Sequence, residues 1–269
     1  MSILDEIGKN SLKKYLTNCN AYCSIDPERA FELILDLIKN HKGDYVPPEK
    51  LKEMRILENR WYKSLTDGNP DYSVYADPFY FCDVWLCWIT YSRKYLKEIQ
   101  NPKSLFINSI VADMKNVNTV LDLGCGFGYT TAGLKEIFPN SDVIGTNLAG
   151  TSQYYMATDL GNEHNFKVID GYAKVKTDLI FASEYFEHIQ NPIDHIQDVI
   201  KETSPRYLII ANTFTSDAIG HFKEYDYNGQ KFAGKQMSMM FNKTLKNLGY
   251  EKVKTKCWNN RPTYWKKTK

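Results

Sequence analysis

The chain has 269 residues, 43% hydrophobic and 14% aromatic, with 34 Lys and Arg against 32 Asp and Glu for a formal net charge of +2. Such a composition excludes disorder over the whole chain and allows one large domain, or a domain with an appendage. The charge does not by itself imply a nucleic-acid partner, no apolar run reaches the ~18 residues of a membrane span, and the polar start MSILDEIGKNSLKK is not a signal peptide, so a cytoplasmic location is expected.

From residue 1 to 60 the pattern is helical: Ala30, Phe31, Leu33, Ile34, Leu37 and Ile38 recur at three- and four-residue steps behind an Asp26-Pro27 start signal. The turn-rich Thr66-Asp67-Gly68-Asn69-Pro70-Asp71 breaks it. In the aromatic stretch that follows, Trp85, Trp88, Ser92 and Tyr95 are spaced for one helix face, and its rings either pack a core or wall a ligand pocket. From 118 onward strands are expected over 120–123, 142–146, 167–169, 178–182 and 206–212, with helices over 130–138, 152–160, 191–203 and 235–248, the last stopped by Gly249. Two final strands, 252–258 and 262–267, are joined by Asn259-Asn260-Arg261-Pro262. Alternating β and α elements predict an α/β fold, a mainly parallel Rossmann-like sheet with an antiparallel terminal hairpin. The expected division is a helical extension or lid over 1–100 and a binding domain over 101–269. Cys19, Cys23, Cys82, Cys87, Cys125 and Cys257 form no paired C-x-x-C motif and read as reduced thiols.

Leu121-Asp122-Leu123-Gly124-Cys125-Gly126-Phe127-Gly128 ends the first strong strand and precedes a helix. Glycines at alternate positions let the backbone turn and approach a ligand closely at the carboxyl edge of the sheet. The spacing is not that of a dinucleotide fingerprint, and Asp122 suits a cationic ligand, a sulfonium or ammonium, better than a pyrophosphate.

These residues resemble the first motif of class I S-adenosylmethionine-dependent methyltransferases, and the resemblance extends over 85 to 269 in motif order and in a seven-stranded pattern. It implies S-adenosylmethionine as cofactor. By this resemblance Gly124, Gly126 and Gly128 lie against its methionine part, Asp122 sits near its amino group, and Asp170 with Gly171 meets its adenine. At the usual ribose acid the chain carries Asn147 instead. Tyr91-Ser92, Gln153 after Gly145-x-x-Leu148, and Ser183-Glu184-Tyr185-Phe186-Glu187-His188 look like the cyclopropane-fatty-acid synthase branch, which makes Tyr91, Ser92, Gln153 and Glu184 candidate cofactor contacts. A Glu-His-Ile tail also occurs in quinone and small-metabolite methyltransferases.

Glu184, Glu187 and His188 have the i, i+3, i+4 spacing of one side of a helical turn, and His221 follows the fifth strand. Three accounts stand open: a structural network, a general base drawn from His188, Glu187 or His221, and a divalent cation on Glu184, Glu187, His188 and His221. The last resembles the Glu-x-x-Glu-His arrangement of RNA 3′-terminal 2′-O-methyltransferases; their further histidine pattern is not seen here, and no metal is assigned. His195 is expected to face solvent and His41 to lie on the surface or in a loop. The 213–232 segment, with Phe214, Phe222, Tyr225, Tyr227 and Phe232, offers an apolar acceptor wall. The expected function is methyl transfer to a small-molecule or lipid-like acceptor. The alternatives are a nucleic-acid enzyme, acting at an RNA end or ribose, and a cofactor-binding partner subunit without turnover.

Overall fold

A computed structural model describes residues 2–6, 8–172, 174–255 and 261–268. Asp26 accepts hydrogen bonds from the amides of Glu28 and Arg29, and with Pro27 it starts a helix as its sequence requires. Four helices precede the first break: α1 (Lys9–Tyr22), α2 (Pro27–Lys42), α3 (Pro48–Met54) and α4 (Ile56–Thr66). After the Thr66–Asp71 turn come a 3₁₀ turn (Tyr72–Ala76), α5 (Pro78–Cys87), a π-helical turn (Trp88–Ser92), α6 (Arg93–Gln100) and α7 (Leu105–Asp113). Trp85, Trp88 and Ser92 are buried on one side of this run.

The alternating part follows as β1 (Thr119–Leu123), α8 (Tyr129–Ile137), β2 (Asp142–Asn147), α9 (Ser152–His164), β3 (Lys167–Asp170) and β4 (Leu179–Ser183). It continues with α10 (Pro192–Thr203), β5 (Tyr207–Ala211), β6 (Glu224–Tyr227), β7 (Gln230–Ala233), α11 (Gly234–Asn247), β8 (Tyr250–Val253) and β9 (Thr263–Lys267). Seven of the described strands form one sheet in the order β3-β2-β1-β4-β5-β9-β8. β1 to β5 are parallel and β9 pairs antiparallel with both β5 and β8. The described strand β8 ends at Val253; Cys257, Trp258, Asn259 and Asn260 lie outside the described residues. A separate β6–β7 hairpin, turning on Asn228 (φ 51°) and Gly229 (φ 72°), occupies part of the segment expected to be an acceptor wall.

Strand order reverses between β1 and β4, which opens a crevice at their carboxyl ends. The N-terminal helices pack on both sides of that crevice. Tyr15 and Trp85 share one core with Phe127 and Leu134, while Trp61 shares the other with Ile193, Ile196 and Phe241.

Candidate active site

A cavity of about 450 Å³ lies at this crevice, walled by the glycine loop, the turns after β4 and β5, Arg261, and α5 with its π-helical continuation. Gly124, Gly126 and Gly128 all take left-handed φ (65°, 54° and 86°). A Cβ on Gly124 would lie 2.3 Å from the Tyr185 ring and one on Gly128 3.2 Å from the Ala157 backbone, whereas one on Gly126 would meet only Val84 Cγ1, at 4.0 Å. The loop is fixed by Cys125 N–H to the Thr146 carbonyl (2.9 Å) and Gly124 N–H to Thr146 Oγ1 (3.0 Å). Tyr91 and Ser92 join it in the cavity wall, with Ser92 Oγ 3.0 Å from Ser183 Oγ.

Of the expected cofactor contacts, Asp122, Asn147, Gln153, Asp170 and Gly171 do not line this cavity. Asp122 is 1% exposed beneath the loop, where it accepts from the hydroxyls of Thr130 (2.6 Å) and Thr131 (2.7 Å). Burial pushes its carboxyl up to about 7 against the two threonine hydrogen bonds. Asn147 spends both ends of its amide locally, donating to the Gly126 carbonyl (2.7 Å) and accepting from Leu148 N–H (2.8 Å). It pairs in register with Asp170, and Gly171 N–H bonds the Asn147 carbonyl (3.3 Å), so these three gather at the ends of β2 and β3, outside the cavity wall. Gln153 reaches the N-terminal part instead, donating to the Tyr75 carbonyl (3.1 Å).

After β4 the chain makes a 3₁₀ turn over Phe186–His188, and Glu184 stands before it at φ 52°, so the expected single α-helical face is not formed. Glu184 and Glu187 nevertheless converge with His221: one potential ligand atom from each lies within 4.8 Å of the others. Glu187 is fully buried; its Oε1 accepts the Thr213 amide (2.6 Å) and its Oε2 has no hydrogen-bond partner. Burial, then the Glu184 charge, drives its carboxyl well above the usual range, and burial brings Glu184 to about 7 against the opposing pull of Arg261. His221 points Nδ1 at the Ser216 carbonyl (3.0 Å), which leaves Nε2 with a lone pair, and burial lowers it to about 4. His188 turns away, its Nδ1 3.0 Å from the Tyr75 hydroxyl and its ring edge-on to His221 at 4.7 Å; burial holds it well below the ordinary histidine value. A Cβ on Gly220 would lie 2.6 Å from His188 Nδ1, so glycine is required beside this contact.

Other expectations are corrected. Phe214, Phe222 and Tyr225 pack inward, and Thr213, Ser216 and Ile219 face the cavity in their stead. His195 is half-buried with Nε2 2.8 Å from the Tyr185 hydroxyl; His41 is exposed, as expected, and lies edge-on to Tyr91 in the cavity wall. Sequence reasoning missed Tyr75, Asp83, Thr213 and Arg261, whose guanidinium donates to Thr213 Oγ1. The dense aromatic stretch was the signal for Tyr75; the others carried none.

A family model described as a methyltransferase domain matches residues 94–253. Malonyl-[acyl-carrier protein] O-methyltransferase 2 of Ilyobacter polytropus is 27% identical over 122 residues, which are 42% of this chain and 46% of that relative, so the match spans about half the relative's length. The solved structure of an O-methyltransferase family protein from Burkholderia thailandensis superposes with a TM-score of 0.54 at 10% identity, covering 80% of this chain and 70% of that one. A SAM-dependent methyltransferase from Aquifex aeolicus gives a TM-score of 0.41 at 15% identity over 64% and 95% of the two chains.

Proposed function

Because the chain belongs to the methyltransferase-domain family, we propose that it transfers the methyl group of S-adenosylmethionine in line to a small-molecule or lipid-like acceptor, with an oxygen as the receiving atom as the name of its malonyl-[acyl-carrier protein] O-methyltransferase relative suggests. The observation that carries this reading is that the glycine loop and the Glu184, His188 and His221 side chains open onto one cavity, whose 450 Å³ suits a small ligand. When bound, the donor supplies an electrophilic methyl carbon on a positively charged sulfur.

Gly124 and Gly126 leave the backbone bare for the donor's close approach. Across the cavity, the Glu184 carboxyl, brought to about 7, is matched to taking the acceptor's proton near neutral pH. His188 and His221 stay neutral there and are poorer bases than the sequence suggested. The buried Glu187 carboxyl with its orphaned oxygen, the half-buried Glu184 carboxyl and an imidazole lone pair also fit a divalent cation, which when bound would acidify an acceptor hydroxyl.

Isothermal titration with S-adenosylhomocysteine is the first test; no heat at millimolar ligand with a folded chain overturns the donor assignment. Glu184→Gln is expected to lower kcat about 100-fold with S-adenosylhomocysteine affinity retained. For the cation, Mn²⁺ is expected to raise the melting temperature of the wild-type chain and not that of Glu187→Gln. An equal shift in both removes the cation from the cluster.

A further inference from the structure

Resting on the donor reading above, we propose that the N-terminal helices, through Asp83 and Trp88, hold the zwitterionic amino-acid end of the methyl donor. An α-amino acid brings an ammonium and a carboxylate together, and its site needs an acid for one and a hydrogen-bond donor for the other. Asp122 does not line the cavity; it lies beneath the loop with two threonine hydroxyls on its Oδ2.

Asp83, on α5, lines the cavity and makes no hydrogen bond or ion pair among the described residues. The ionisable groups that sense its charge, Tyr80, Cys82, Cys87, Tyr91 and Glu184, are all acids, and Glu58 acts on it in turn. Burial raises its carboxyl to about 6, as for an acid whose cation is still to come. Trp88, in the same wall, is 4% exposed and its Nε1 has no partner, although a buried indole N–H ordinarily finds an acceptor.

Both residues line the cavity together with the glycine loop. Val84, next to Asp83, places Cγ1 4.0 Å from where a Cβ on Gly126 would stand, and the Trp88 ring lies 5.6 Å from that of Tyr129, the first residue of α8. No side chain caps the start of α8, so its amides add donors on the Trp88 side. An unpaired acid and an unpaired N–H thus border the loop that the donor's amino-acid end would approach, and they complement the two charges of that end.

Two probes separate this end from the rest of the donor: S-adenosylhomocysteine carries it, and 5′-methylthioadenosine has the same nucleoside and sulfur without it. In titrations of the full chain, Asp83→Asn and Trp88→Phe are each expected to weaken S-adenosylhomocysteine about ten-fold or more while 5′-methylthioadenosine stays within about two-fold. Asp83→Glu, which keeps the charge, is expected to recover most of the loss. Unchanged S-adenosylhomocysteine affinity overturns the proposal, as does an equal loss for both probes, which would mean a packing role only. A wild-type chain that binds both probes equally tightly also overturns it. If the wild type binds neither, the donor reading fails and this assignment falls with it. Melting curves establish that each variant is folded; should Trp88→Phe not fold, the Asp83 pair decides.

Discussion

At the scale of single residues, the site depends on side chains far from it in sequence. The Trp61 indole, fully buried on α4, donates to the His221 carbonyl at 2.6 Å and so ties the N-terminal helices to the turn after β5. Tyr62, beside it, accepts the Ala218 amide on its hydroxyl at 3.0 Å. Trp61→Phe leaves that carbonyl unpaired and opens space within its core, a combined loss of about 2–3 kcal/mol by urea denaturation. His221 loses its brace in the same change, so turnover is expected to fall further than S-adenosylhomocysteine affinity. An unaltered urea midpoint would mean that this indole carries no part of the connection.

At the scale of elements, most of the alternating part was legible. Buried runs such as Val120 to Leu123, apolar but for Asp122, and Tyr207 to Ala211 have no other way to hide from water than as central strands, and Asp26-Pro27 and Gly249 mark helix ends by chemistry that acts within a few residues. The glycine loop was legible for the same local reason. Where each acid points was not. Asp122 faces inward because Thr130 and Thr131 close over it, and Glu184 leaves the helical spacing because it takes a left-handed φ that no neighbouring residue dictates. Contacts such as Tyr75 to His188, 113 positions apart, leave no trace in periodicity. The β6–β7 hairpin did have a signal, Asn228-Gly229, with both residues at positive φ as a two-residue turn demands. It supports the site, because the Tyr225 hydroxyl donates to the Glu187 carbonyl (3.3 Å) and the Asp226 amide to that of Gln190 (2.9 Å). Gly229→Ala is expected to cost about 1–2 kcal/mol in chemical denaturation, and Asn228→Gly almost nothing.

At the scale of the whole molecule, uncompensated burial of acids makes stability depend on pH in an unusual direction. Asp122 ionises at about 7 when folded and near 3.8 otherwise, so between those values the unfolded chain holds fewer protons and the folded state loses ground as pH rises. Its contribution is complete below about pH 4 and gone above about pH 7, and Asp83 and Glu184 act in the same sense. His188 and His221, held below 6.5, act oppositely as pH falls from 6.5 toward 4. Comparing the wild type with Asp122→Asn isolates one acid: the variant's advantage in melting temperature should grow from pH 4.5 to about 7 and then level off. A constant difference across that range would show that Asp122 ionises normally.

The exposed bend at Asp67 to Asn69, between a helix that braces His221 and the helices that roof the glycine loop, also has a consequence for the chain as a polymer. A single protease nick there should not release the first piece. The severed halves would remain docked through interior surfaces, co-elute, and keep their spectroscopic signature until denaturant parts them.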